Sequence, residues 1–374
     1  MGVLDKSMAG HIAIFIPSLR GGGAERVMVT LANAFAARNI SVDLILVKAE
    51  GPYLSELDNV VRIFDLNVSR VIAGLPGLVR YFRREHPQAL LSAMSHTNVI
   101  ALLAKCLAFS GTRVVVSERT QVSVSSAMSV LRRRRLLPML MRWTYPWANG
   151  VVAVSHGVAD DLSRTIAIPR ERIVVIHNPI DFDRINSNSV ERSAELYESV
   201  SSQSPIILGV GRLVEAKNFS FLIQAFAQTL KQFPAKLIIL GEGPLRAKLE
   251  ALIADNGLSN DVIMPGFVKN PYAWMRHAKI FVLSSSWEGF PNVLVEAMAC
   301  GTAVISTDCP SGPKEILEDG KWGRLVPVDD VDALAKAMVE TLNETEHPNV
   351  IERAREFSVD HAADQYLSVL RLAD

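Results

Sequence analysis

Cysteine is scarce. Cys106, Cys300 and Cys309 are the only three in 374 residues, and none forms a Cys-x-x-Cys pair. That argues against a disulfide framework or a thiolate zinc site and fits a reducing compartment. No apolar run reaches the about 18 residues of a membrane-spanning helix, and the longest candidate, at 99–109, is broken by Lys105. The chain does not open on a basic stretch followed by an apolar one. Its apolar run at 12–16 is too short for a signal peptide. A cytoplasmic chain is expected. Net charge is also absent, with 39 basic and 39 acidic residues. The balance hides an asymmetry: residues 1–182 hold 21 basic and 13 acidic side chains, the remainder 18 and 26. The first part is therefore expected to face something anionic, a membrane surface or a nucleic acid.

What is present is the composition of a packed globular protein, 49% hydrophobic and 21% charged, with length for two domains. Short apolar runs alternate with segments of helical period. Strands are expected at 12–16, 42–47, 89–93, 114–117, 151–154 and 173–176, then again at 206–210, 237–240, 262–264, 280–283, 303–306 and 324–326. Helices are expected between them, for example at 24–38, 219–233, 245–256 and 331–342. Such alternation means parallel sheets covered by helices on both faces. The expected fold class is α/β, with two Rossmann-like domains at 1–182 and 205–355. A polar linker at 183–204 separates them, and a C-terminal helix within 356–374 has the option of crossing back to the first domain.

Four glycine-bearing loops follow strands, at the ends where open α/β sheets bind ligands. The first carries Gly21, Gly22 and Gly23 before a helix whose N-terminal amides suit an anion; it matches neither G-x-G-x-x-G nor a P-loop. The second sets Arg212 and Lys217 beyond a strand end, where two cations can neutralise a diphosphate. The third is Gly241-Glu242-Gly243-Pro244. The fourth runs from Glu288 through Gly289, Phe290, Pro291, Asn292 and Val293 to Glu296, which is expected in the first turn of a helix starting near Val293. Two carboxylates bracketing an anion-binding loop suit recognition of sugar or ribose hydroxyls.

Together these loops resemble the retaining glycosyltransferases of family 4, the glycosyl transferases group 1, which have the GT-B fold of two Rossmann-like domains facing each other across a cleft. The resemblance rests on Gly-Gly-Gly-Ala-Glu-Arg at 21–26, Gly-Arg-Leu-x₃-Lys-Asn at 211–218, Gly-Glu-Gly-Pro at 241–244 and Glu-x₇-Glu at 288–296. It implies that Arg212 and Lys217 hold the donor diphosphate, Glu288 the donor sugar and Glu296 the ribose. Backbone at Gly289, Phe290, Pro291, Asn292 and Val293 would hold sugar and phosphate, with Gly22 and Gly23 approaching the phosphate and Gly241 and Glu242 completing the donor set. It also implies retention by front-face attack assisted by the leaving phosphate. Many relatives carry a histidine after the 114–116 strand. Here the run is Ser117-Glu118-Arg119-Thr120, so Arg119 stands open to an anionic group of acceptor or donor, and His96 is a second candidate.

No cofactor or metal is expected. The Asp-x-Asp strings at 181–183 and 330–332 read as structural, the second as a helix cap. The basic excess concentrates at 128–147, where Arg132, Arg133, Arg134, Arg135 and Arg142 mix with Trp143, Trp147 and aliphatic residues. Arg80, Arg83 and Arg84 flank a similar mixture. Such segments lie in a lipid headgroup layer, or else form a solvated face over a buried underside; no nucleic-acid motif accompanies them. The expected partners are a nucleotide sugar, UDP first, a lipid-linked glycan acceptor and an anionic membrane, on whose inner face the protein would sit peripherally. The run Pro310-Ser311-Gly312-Pro313-Lys314-Glu315-Ile316-Leu317 resembles enzymes that extend polyprenyl-diphosphate-linked glycans. A glycerolipid acceptor, a nucleotide-sugar epimerase and a non-catalytic binding partner are the alternatives.

Overall fold

The structure, a computed structural model, describes residues 10–127, 136–189 and 204–372. It divides into two units, one from Met1–Pro179 with Val359–Asp374 and one from Ile180–Ser358. The expected linker thus opens with a helix of the second unit, Phe182–Ser189, while 190–203 lie outside the described residues.

The first unit contains β1 (His11–Ile16), β2 (Ser41–Leu46), β3 (Arg62–Asp65), β4 (Ala89–Ala93), β5 (Arg113–Glu118), β6 (Gly150–Ala153) and β7 (Ile173–Val175). They form one parallel sheet in the order β3-β2-β1-β4-β5-β6-β7. β1, β2 and β4 are buried along almost their whole length, as strands covered on both faces must be. The Gly23–Ala37 helix buries Val27, Met28, Leu31 and Phe35 at helical spacing. The Val359–Leu370 helix packs beside it, adding Ala362, Ala363, Tyr366 and Leu370 to the same core. β3 escapes any hydrophobic pattern because it is an edge strand with both ends charged and exposed.

The second unit contains β8 (Ile206–Val210), β9 (Lys236–Leu240), β10 (Val262–Gly266), β11 (Ile280–Leu283), β12 (Ala303–Thr307) and β13 (Arg324–Val326). These too are all parallel, in the order β10-β9-β8-β11-β12-β13. Both sheets reverse direction of winding once, between β1 and β4 and between β8 and β11. Those are the switch points where neighbouring loops diverge to opposite faces and leave a crevice.

On β2, beside the edge strand β3, Asp43 is only 1% exposed and is held by four hydrogen bonds from three side chains. Arg62 grips it with Nε and Nη2 at 2.8 and 2.7 Å, Tyr81 Oη donates at 2.5 Å and His11 Nε2 lies at 2.8 Å. Burial alone would raise the carboxyl's pKa, but these bonds outweigh it and hold it at about 2. A depressed carboxyl stabilises the folded state above its unfolded pKa, and that stability is lost as pH falls through about 2. Asp43→Ala, which strands Arg62 and Tyr81, is expected to cost about 3–5 kcal/mol in urea unfolding at neutral pH. The variant's deficit against wild type should shrink at pH 2.

Candidate active site at the switch points

In the second unit the chain leaves β8 through Gly211, Arg212 and Leu213 into a short 3-10 turn, Glu215–Lys217, closed by Asn218 at φ 46°. The glycines here are steric requirements. A Cβ on Gly241, whose φ is +142°, would lie 1.9 Å from the Gly211 carbonyl oxygen, and one on Gly243 would lie 2.4 Å from that of Leu213. The two loops therefore pack backbone on backbone, with Gly211 N donating to Leu240 O at 2.9 Å and Leu213 N to Glu242 O at 3.0 Å. Glu242 is engaged by Arg246 at 2.6 Å.

The same turn is stitched to the chain leaving β11. Ser284 Oγ donates to Lys217 O at 2.8 Å, Ser286 N to Ala216 O at 2.9 Å and Asn218 Nδ2 to Ser286 Oγ at 3.1 Å. The result is a direct Lys217 Nζ to Glu288 Oε1 ion pair, with Ser285 Oγ donating to the same oxygen at 2.6 Å. Both side chains are largely buried yet not sealed from solvent. Lys217 and Glu288, 71 residues apart, thus meet at the second sheet's switch point, while Arg212 stands exposed on the same loop. Cys309 is close enough to feel both charges; burial, with Glu288 adding, pushes its thiol up to about 12, so it is no nucleophile at neutral pH.

After Glu288 the chain passes through Gly289, Phe290 and Pro291 into the Asn292–Ala299 helix, which has no side-chain cap. Ser311 Oγ holds Gly289 O at 2.8 Å, and the Phe290 ring packs edge-on against Phe357 at 5.5 Å. Asn292 N already donates to Phe290 O at 3.0 Å, and a helix start without a side-chain cap is where an oxyanion finds amides. Glu296 is the fifth residue of this helix, in its second turn rather than the expected first, because the helix starts at Asn292 and needs four residues to complete a turn.

In the first unit Gly22 caps the Gly23–Ala37 helix, and Glu25 folds back over the loop. Its Oε2 accepts from Gly21 N at 2.8 Å and Gly22 N at 3.0 Å, so a carboxylate already sits where the glycine loop offers its amides. His96 is exposed in the first turn of the Ser95–Ala108 helix after β4. Beyond β5, Glu118 is completely buried and accepts from Tyr145 Oη, from Asn98 Nδ2 at 2.9 Å and from Ser95 Oγ at 2.8 Å. Burial raises its pKa against these bonds. Arg119 is buried beside it, with Nη1 donating to Ser117 Oγ at 3.3 Å and Tyr366 Oη at 3.1 Å. Sequence reasoning assigned no role to Glu118, Ser285 or the Glu25 carboxylate; only the last carried a signal, a glutamate three residues after the capping glycine.

Residues 21–184 match a family model described as Glycosyltransferase Family 4, and 197–357 one described as Glycosyl transferases group 1. The N-acetylgalactosamine-N,N'-diacetylbacillosaminyl-diphospho-undecaprenol 4-alpha-N-acetylgalactosaminyltransferase of Campylobacter jejuni is 32% identical over 347 residues, 89% of this chain and 90% of its own. The chain belongs to this glycosyltransferase family. The amylovoran biosynthesis glycosyltransferase AmsD of Erwinia amylovora is 28% identical over 80% of each chain. Among solved structures, Anabaena HepE in complex with UDP and glucose superposes with a TM-score of 0.81 at 21% identity, over 97% of this chain and 99% of that one. The fold is GT-B.

Other sites of the glycosyltransferase fall into place by position. Asp181 Oδ1 accepts from Arg184 N at 2.9 Å and Asp330 Oδ1 from Ala333 N at 2.9 Å, so both strings contain helix caps. Among the described residues no three His, Cys, Asp or Glu side chains gather as metal ligands would. Arg132, Arg133, Arg134 and Arg135 lie outside the described residues. The Leu137–Thr144 helix buries Met141 and Thr144 and exposes Met139, Leu140, Arg142 and Trp143, the last at 71%, with Trp147 exposed just after it. Around Arg80, Arg83 and Arg84, which are exposed, Leu78, Tyr81 and Phe82 are core. Among the described residues no helix is long and apolar enough to cross a membrane.

Gly241→Ala tests the backbone packing that shapes the site. It forces a side chain into the Gly211 carbonyl at an unfavourable φ, and is expected to cost about 3 kcal/mol or more in thermal unfolding. Gly257→Ala is the control: it also has positive φ, +68°, but no atom within 4 Å of the new Cβ. Its loss should be smaller.

Proposed function

We propose that this glycosyltransferase moves a sugar from a nucleoside-diphosphate donor, UDP first, to a polyprenyl-diphosphate-linked glycan with retention of anomeric configuration. The observation that carries the reading is the Lys217–Glu288 pair at the second sheet's switch point. A lysine has three donors, so Lys217 can keep Glu288 and still reach a phosphate. Lys217 and Arg212 stabilise negative charge as it grows on the departing diphosphate, and the Asn292–Ala299 helix start adds its amides. Glu288 accepts from sugar hydroxyls and Glu296 from the ribose. The acceptor hydroxyl attacks the face the diphosphate leaves, and the leaving phosphate takes its proton, so no carboxylate nucleophile is required. The 32% identity to an enzyme named for a diphospho-undecaprenol acceptor supports the lipid-linked substrate.

Lys217→Ala and Arg212→Ala are each expected to lower turnover by two to three orders of magnitude without loss of fold, since one transition-state donor is worth roughly 3–4 kcal/mol. Near-normal turnover in either would remove that residue from leaving-group stabilisation. Glu296→Ala should weaken donor binding in calorimetry with less effect on turnover at saturation, because ribose contacts change little during reaction.

Lys217 and Arg212 supply the charge a divalent ion would otherwise supply, so turnover is expected to survive EDTA; loss restored by Mg²⁺ or Mn²⁺ would refute this. The exposed Trp143, Trp147 and Arg142 support docking on an anionic bilayer, helped by Arg132, Arg133, Arg134 and Arg135 at about 1 kcal/mol for each cation near the surface. Vesicle sedimentation should show anionic-lipid-dependent binding that falls when those four arginines become glutamate. Equal binding by both proteins would contradict it.

A further inference from the structure

Arg119 is a buried cation with half of its hydrogen-bonding edge unused. It is 7% exposed, and its Nε and Nη2 have no hydrogen-bond partner among the described residues, while Nη1 is held by Ser117 and Tyr366. The two idle atoms are the side-on fork of a guanidinium, two parallel N–H groups spaced for two oxygens of one carboxylate or phosphate. This protein shows what the fork does when filled: Arg62 uses the same two atoms to grip Asp43 at 2.8 and 2.7 Å. Among the described residues no carboxylate bonds these two atoms of Arg119. Its neighbour Glu118 has both oxygens committed to Tyr145, Asn98 and Ser95.

A buried guanidinium with an empty fork is expensive, and fixing it in place adds to the cost. Ser117 lies on β5, and Tyr366 comes from the Val359–Leu370 helix some 250 residues later, so the orientation is set by two separate elements. Burial depresses the Arg119 pKa, with Tyr366 and Glu118 working against it. The position is the carboxyl edge of the first sheet, one strand from its switch point, where ligands of such sheets bind. The oxyanions that a glycosyltransferase of the proposed kind handles are phosphoryl groups.

We propose that the Nε–Nη2 fork of Arg119 is a phosphoryl-binding element of the first unit, filled by a substrate phosphate from the lipid-linked acceptor or from the donor. This rests on the transferase reading above and adds a second anion site to the one at Lys217. Arg119 is then a binding residue pre-oriented by Ser117 and Tyr366.

Calorimetry with two probes tests it: farnesyl diphosphate, with farnesol as the uncharged control, and whichever of UDP, GDP or ADP wild type binds best. If the acceptor fills the fork, Arg119→Gln loses at least tenfold in farnesyl diphosphate affinity, down to that of farnesol, with the nucleotide unchanged. If the donor fills it, the two results exchange. Arg119→Lys, which keeps the charge but not the fork, should recover part of the loss, and it serves as the test variant should Arg119→Gln fail to fold. Affinities within twofold of wild type for both probes overturn the proposal and leave the fork to buried water, as does a wild type that binds neither. Failure of the transferase reading shows differently, as a wild type that binds these probes but turns over no nucleotide sugar.

Discussion

The contact between Lys217 and Glu288 is the constraint on which the site of the second unit depends. It exists because a parallel sheet in the order β10-β9-β8-β11-β12-β13 puts the carboxyl ends of β8 and β11 side by side, bringing together residues 71 apart in the chain. The turn after β8 must be tight to send Lys217 back over that junction, and Asn218 in the left-handed region ends it. The loop after β9 must then lie against it with no side chain between, which accounts for Gly241 and Gly243. Three of the four glycine-bearing loops are thus parts of one packing arrangement rather than independent motifs.

The first unit solves the same topology differently. At its switch point the glycine loop after β1 is occupied by its own Glu25, at hydrogen-bond distances that a phosphate oxygen would also take. Charge at this sheet edge lies one strand over, in the buried Glu118–Arg119 pair of neighbours, one satisfied and one not. Beside the edge strand β3, Asp43 is fully satisfied and its neighbourhood is accordingly structural. Hydrogen-bond completeness separates the two clusters better than charge or burial does.

Most of the fold was legible because fully buried parallel strands are nearly continuous apolar runs, and each of the two sheets has several. β3 was not, since Arg62 and Asp65 at an exposed edge leave no period to read. The start of the Asn292–Ala299 helix was displaced by a residue because Pro291 and Asn292 are compatible with either side of the boundary, and that moved Glu296 by a turn. Arg212, Lys217, Glu288 and Glu296 were legible as motif residues, but the Lys217–Glu288 pairing itself follows from strand order. The satisfaction of Glu118 and the idle fork of Arg119 depend on Tyr145 and Tyr366, whose distance along the chain no local pattern encodes. The same holds for the basic and apolar mixture near Arg80, where Leu78, Tyr81 and Phe82 turned out to be core.

The claim at the centre of this account is that the β8–β11 junction recognises a diphosphate through Lys217. It is tested most directly by calorimetry of a nucleoside, its monophosphate and its diphosphate against wild type and Lys217→Met. The account predicts that the diphosphate binds wild type at least tenfold more tightly than the monophosphate, and that this increment collapses in Lys217→Met while nucleoside affinity is unchanged. An increment that survives intact in the variant would contradict it.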